Sequence, residues 1–324
     1  MDRRQFLRVS AIAGAGAALS PMSGVASSNA ASVTPNGGRR ARCLWGAHAE
    51  PRGNQSARAA ITDLEDSIGR RFALSRHYVK WDYELPDGFQ AWSVDAGRTP
   101  YISWHAETVG GESIRWSSIG EGEHDDWIAR QARALRRAGY RMYLCFHHEP
   151  ENDPELGGAA EFVAAYSRIR QIFRSHRVGN VRWVVNLMAG TYGGANGGPD
   201  AWMPSTFRFC GVDGYNRFPC EGNQWRSFET LFEPAREFAR SVDRGLFIGE
   251  YGCVERHGDG GNDDPDAKPE WFREAGATIR SWPEVKAVIY SHVFSDRLGC
   301  AYWVDSSRRS LEAFAAVGAH PHFN

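Results

Sequence analysis

Two glutamates each close an apolar run. Tyr143-Leu144-Cys145-Phe146-His147-His148-Glu149-Pro150 ends in two imidazoles and a carboxylate, and Phe247-Ile248-Gly249-Glu250-Tyr251-Gly252 ends in a second carboxylate. Two carboxyl groups flanking one bond, one protonated and one ionised, can cut a glycosidic linkage. With about 5 to 5.5 Å between them the reaction retains configuration. In that reading Glu250 attacks as a carboxylate, while Glu149, held protonated by its surroundings, donates to the leaving oxygen and later activates water. Tyr215, from a third run, can donate a hydrogen bond that fixes and acidifies Glu250. Either Glu alone reads equally well as a solvated loop residue. A matched pair at two run ends does not.

The elements that must hold this pair are eight short β-rich runs from Arg42 onward: 43–47, 72–78, 100–105, 141–146, 181–187, 209–214, 246–248 and 285–290. Helical patterns lie between them, over 126–138, 159–176, 229–241 and 268–281, with apolar residues at helical spacing. This alternation predicts a parallel sheet, and eight repeats predict closure into a single-domain (β/α)8 TIM barrel. An open doubly wound sheet would show a Gly-rich phosphate turn after an early strand, and none is present. A barrel's active site sits at the C-terminal strand ends. The polar residues there are His105, His148, Glu149, Asn186, Asp213, Tyr215, Asn216, Glu250, Tyr251 and His292. The Gly-rich stretches 190–199 and 257–266 read as loops on that face.

Five short motifs in order then carry a resemblance. His148-Glu149 ends the fourth run, Asn180-Val181-Arg182-Trp183 opens the fifth, Asp213-Gly214-Tyr215-Asn216 follows the sixth and Glu250-Tyr251-Gly252 ends the seventh. Ser103-Trp104-His105 ends the third. From about Leu44 to the C-terminus the chain resembles glycoside hydrolase family 26, the retaining mannanase-type family. The resemblance implies that Glu149 is the acid/base, Glu250 the nucleophile and Tyr215 its partner, and that His148 and His105 contact the sugar at the cleavage site. Further substrate contacts are expected from Trp104, Asn216, Tyr290, Trp303 and Trp81, with Trp116 and Trp202 as other aromatic candidates. Two features depart from the family pattern. Pro150-Glu151-Asn152-Asp153-Pro154 follows the acid/base without a Trp, and the eighth run ends in Tyr290-Ser291-His292 rather than a Trp platform. Mannan leads as the expected polymer, with mixed-linkage β-glucan and β-1,3-xylan open beside it. A non-catalytic carbohydrate-binding or exopolysaccharide-assembly protein is the reading from another class.

Composition narrows the partners. Twelve Trp, eleven Tyr and seventeen Phe supply flat faces that stack on sugars as readily as they fill cores. The segment 1–31, with Arg3-Arg4 before a short apolar stretch, reads as a cleaved twin-arginine export signal, so the protein is expected outside the cytoplasm. Its removal takes three arginines and one aspartate and moves the net charge from −1 to −3. A near-neutral surface suits a neutral polymer and argues against nucleic acid or anionic membrane. The apolar stretch is too short for a membrane anchor, and a monomer is expected. Of six cysteines, Cys145 and Cys210 read as packed thiols, and Cys220, Cys253 and Cys300 as disulfide candidates with pairing open. No cofactor or metal is expected. Zinc at His147, His148, Glu149 and Asp153 fits poorly, because adjacent strand residues face opposite ways. The acidic stretch 259–266 departs from the calcium-loop spacing and reads as solvated.

Overall fold

A computed structural model describes residues 43–222, 224–256 and 263–323. The export segment and the first half of the acidic stretch, 259–262, lie outside the described residues. Eight parallel strands close into the expected barrel in chain order. They are β1 (Leu44–Ala49), β2 (Leu74–Val79), β3 (Thr99–Trp104), β4 (Met142–Phe146), β5 (Val181–Met188), β6 (Phe209–Asn216), β7 (Gly245–Cys253) and β8 (Val285–His292), which pairs back on β1. A small antiparallel hairpin follows, β9 (Phe294–Ser295) and β10 (Cys300–Ala301).

The helices form where the apolar period demands it. Asp125–Ala138 buries Ile128, Gln131, Ala132 and Leu135 on one face. Its acidic first turn and basic last turn suit the helix dipole, and Gly139 ends it at φ 75°. Ser56 caps Ala57–Ile68 by accepting from the Ala59 amide. Two cores result. Leu74, Tyr101, Tyr143, Cys145, Val184, Phe247, Ala287 and Ile289 fill the barrel. A larger apolar layer joins the outer strand faces to the helices.

Six strands run further than the sequence reading has them. β7 extends to Cys253 and β6 to Asn216, so Glu250 and Tyr215 lie within strands rather than after them. The stretch read as an open loop at 190–199 instead holds the short helices Ala189–Tyr192 and Pro199–Trp202. Among the described residues no helix is long and apolar enough to cross a membrane. Cys220 and Cys300 form the disulfide, while Cys43, Cys145, Cys210 and Cys253 are free and buried.

Candidate active site

Strand residues alternate in facing, so each inward side chain follows from its register. On β2 the inward series is Leu74, Arg76, Tyr78; on β6 it is Asp213 and Tyr215, with Gly214 outward against Phe232. Glu250 breaks this rule. Ile248 and Tyr251 both face the outer layer, and the register with β6 and β8 slips between them. That bulge turns Glu250 inward. It needs Gly249, where a Cβ would lie 2.2 Å from Asn186 Oδ1 and 2.8 Å from Asp213 Oδ1. β4 has its own irregularity. After inward Tyr143 and Cys145, alternation would bring His147 inward, but His147 and Glu149 adopt left-handed backbone at φ 47° and 49°. His148 and Glu149 face the cleft as a result.

Glu250, 8% exposed, is held at both oxygens. Tyr78 Oη donates to Oε1 at 2.6 Å, Arg76 Nη1 lies 2.9 Å from the same atom, and Tyr215 Oη donates to Oε2. His148 Nε2 stands 3.9 Å from Oε1. Tyr215 also meets Ser291 Oγ at 3.0 Å. Arg76 is shared with buried Asp213, 3.3 Å away, and braced by Ser103 Oγ. Burial opposes the Glu250 charge, but Arg76 and the two tyrosine hydroxyls outweigh it and hold its pKa below the ordinary value. Glu149 is driven the other way. Burial first, then the negative charges of Asp213 and Glu250, push its pKa well up. Asp213 is likewise raised, chiefly by burial. The two carboxyls thus part in the sense that acid and nucleophile require.

The signs give a pH profile. Glu250 loses its charge only as pH falls through a lowered pKa, and Glu149 loses its proton only as pH rises through a raised one. Activity dependent on both forms a bell between them. Arg76→Met removes the main counter-charge on Glu250, so the acid limb of kcat/KM should move to higher pH by about 1–3 units. A limb that stays in place would show that Arg76 does not govern this carboxylate.

Other sequence candidates divide between site and core. His105 and His148 sit edge to face at 4.6 Å, and burial holds both well below the usual imidazole pKa and so neutral. His105 Nε2 and His148 Nδ1 are buried without a protein partner. His147 accepts from the Ala106 amide at Nδ1 and donates from Nε2 to Asp153. Both nitrogens are therefore engaged in the protein, and the zinc reading loses its ligand. Trp104 and Trp81 are not platforms. They stack on each other at 4.5 Å in the outer layer, leaving no free face for a sugar. Tyr290 is fully buried, its hydroxyl at the Cys253 backbone, and Asn216 is fully buried, accepting from the Arg226 amide. Trp116 and Trp202 are buried also. Trp303 keeps partial exposure, with the Arg52 guanidinium 3.9 Å over its ring and His292 at its edge.

The sequence reading misses Arg76 and Tyr78, and His48, which sits edge to face with Tyr78 at 4.7 Å. The available signal is Ser75-Arg76-His77-Tyr78 in a strand buried on both faces, where a charge requires a partner. His148, Asp213 and Glu250 bring ligand atoms within 4.8 Å of one another. The Arg76 guanidinium already supplies the cation between the two carboxylates.

No family model matches the chain. Endoglucanase H of Acetivibrio thermocellus is 24% identical over 283 residues, covering 82% of this chain and 30% of that protein, so the chain spans under a third of its relative. Among solved structures, a GH26 β-mannanase from Bacteroides ovatus superposes with a TM-score of 0.60 at 14% identity, covering 88% of this chain and 90% of that one. The GH26 endo-β-1,4-mannanase domain of Bacillus sp. JAMB-750 gives 0.59 at 13%, covering 87% of each. An endo-β-1,4-mannanase of Cellulomonas fimi gives 0.58 at 17%, covering 87% and 72%. The chain thus resembles glycoside hydrolase family 26 in its fold, as it does in the order of its motifs.

Proposed function

We propose that the chain is a glycoside hydrolase that cleaves a β-linked polysaccharide with retention of configuration. The observation that carries this is the divided pair: one buried carboxyl bonded by Arg76, Tyr78 and Tyr215, which pull its pKa down, and a second near it whose pKa burial pushes up. Glu250 attacks the anomeric carbon as Glu149 gives its proton to the leaving oxygen, forming a glycosyl ester. Glu149, now a carboxylate, takes a proton from water, and the water oxygen displaces Glu250. The neutral imidazoles of His105 and His148 present unpartnered nitrogens, which suit sugar hydroxyls rather than anions. Trp303 is the remaining aromatic candidate for stacking on the sugar chain.

Mannan is the first polymer to test, on the strength of the solved mannanases that share the fold. β-Glucan is the second reading, favoured by the name of the endoglucanase relative. The twin arginines at Arg3-Arg4 support export, and we assign the protein outside the cytoplasm as a monomer. Incubation with mannan, mixed-linkage glucan and xylan, followed by proton NMR of the fresh products, reads both points. Products should appear first as the β-anomer from one polymer. Initial α-anomer would sink the retaining mechanism, and no product from any polymer would favour a binding protein.

A further inference from the structure

The chain after β8 turns through the β9–β10 hairpin and delivers Tyr302 into the protein. Tyr302 is 2% exposed, and its ring lies 4.7 Å from that of Tyr215, the residue that donates to Glu250 Oε2. Both rings rest on β7 at Gly252, where a Cβ would come 2.7 Å from Tyr215 and 3.1 Å from Tyr302. Val254, Cys300 and Tyr302, with Tyr215, Val293 and Leu298 around them, form an apolar cluster separate from the two main cores. A hairpin with two residues in each strand is too short to hold itself in water. The Cys220–Cys300 disulfide supplies the tie, joining the loop that leaves β6 just after Tyr215 to the hairpin that carries Tyr302. Cys300 is fully buried in the cluster, whereas Cys220 is exposed and open to a reductant.

We propose that Tyr302 is a positioning residue for Glu250, acting through Tyr215, and that the Cys220–Cys300 disulfide holds it there, so that reducing the disulfide loosens the Tyr215–Glu250 hydrogen bond. The catalytic part of this rests on the retaining-hydrolase reading. The positional part does not. Glu250 is faced by His48 from β1, Arg76 and Tyr78 from β2, His148 and Glu149 after β4, and Asp213 and Tyr215 from β6. Of these, Tyr215 is the one packed on Tyr302.

The test uses the full chain with ¹³C-labelled glutamate carboxyls, the Glu250 signal being identified by its loss in Glu250→Gln. Glu250 is titrated in the disulfide form, after reduction by a water-soluble phosphine, and in Tyr302→Ala with the disulfide intact. Reduction turns the phosphine into its oxide, with oxygen from water, and leaves two thiols. The other four cysteines are free already, so no second bond is touched. The Glu250 midpoint should rise by about one unit in both altered forms, as expected for loss of a hydrogen bond to the charged state. On whichever polymer is cleaved, kcat should fall about tenfold with KM little changed, as expected for a nucleophile less well positioned for attack. Circular dichroism checks the fold, and if reduction unfolds the chain, Tyr302→Ala decides. A midpoint and kcat unmoved in Tyr302→Ala overturn the proposal. A shifted midpoint in a chain that cleaves no polymer would support the strut and sink the hydrolase reading.

Discussion

Glu250→Ala should lower polysaccharide hydrolysis by on the order of 10⁴-fold or more, because it removes the carboxylate that Arg76, Tyr78 and Tyr215 hold ready to form the glycosyl ester. That is about 5.5 kcal/mol of barrier. The fold should survive, since Arg76 keeps Asp213 as a partner at 3.3 Å and is not left as an unpaired buried charge. The thermal midpoint and far-UV spectrum therefore serve as controls. The space left by the carboxylate gives a sharper test. Azide or formate should enter beside Arg76 and Tyr78 and restore turnover with an activated aryl glycoside, azide giving a product of inverted configuration. Wild-type turnover in Glu250→Ala would end the assignment.

Glu149→Ala should separate the two halves of the reaction. On polysaccharide the loss should be about 10²–10⁴-fold, the usual weight of general acid–base help. A dinitrophenyl glycoside leaves without protonation, so its first step should proceed nearly as before while the ester on Glu250 accumulates. A pre-steady-state burst followed by slow turnover with depressed KM is the expected trace. Azide, which needs no base, should accelerate turnover and yield a product of retained configuration. The basic limb of the pH profile should vanish as well, since the group whose raised pKa sets it is gone. A basic limb preserved in Glu149→Ala would transfer the acid role elsewhere.

The barrel and its carboxylate pair were legible because both depend on composition at strand ends. Eight β-rich runs with helical spacing between them leave few other architectures, and a Glu closing a buried run is visible without coordinates. The residues around the pair were harder to see because they depend on facing. Trp104 reads as a platform because it adjoins His105, yet adjacent strand residues point apart. With His105 in the cleft, Trp104 belongs to the outer layer on Trp81. The same alternation sends Tyr290 outward beside Ser291, and Asn216 outward beside Tyr215. Arg76 and Tyr78 sit at inward positions of β2, two apart, and counting that run as a strand without asking which face each residue takes conceals them. Alternation carries the reader no further at β4 and β7, for there the chain departs from it. The slip at Gly249 sits against Asn186 and Asp213 of other strands, and the left-handed backbone at His147 has no signature in its residue type, so a local pattern contains neither.

Those two departures have a consequence for anyone who would make this protein sturdier. Left-handed backbone at a non-glycine residue costs on the order of 1–3 kcal/mol, and the chain carries it at His147 and again at Glu149. A search for heat-resistant variants rewards whatever relieves such positions, and a more regular chain after β4 would satisfy it, as a β7 without its bulge would restore a broken ladder. Regular strands would also rotate Glu149 and Glu250 out of their shared cleft. Selection for endurance alone is thus steered toward a tighter barrel with nothing left to cut, and any engineering campaign on this scaffold has to hold those two short stretches fixed and look for gains in the helical shell.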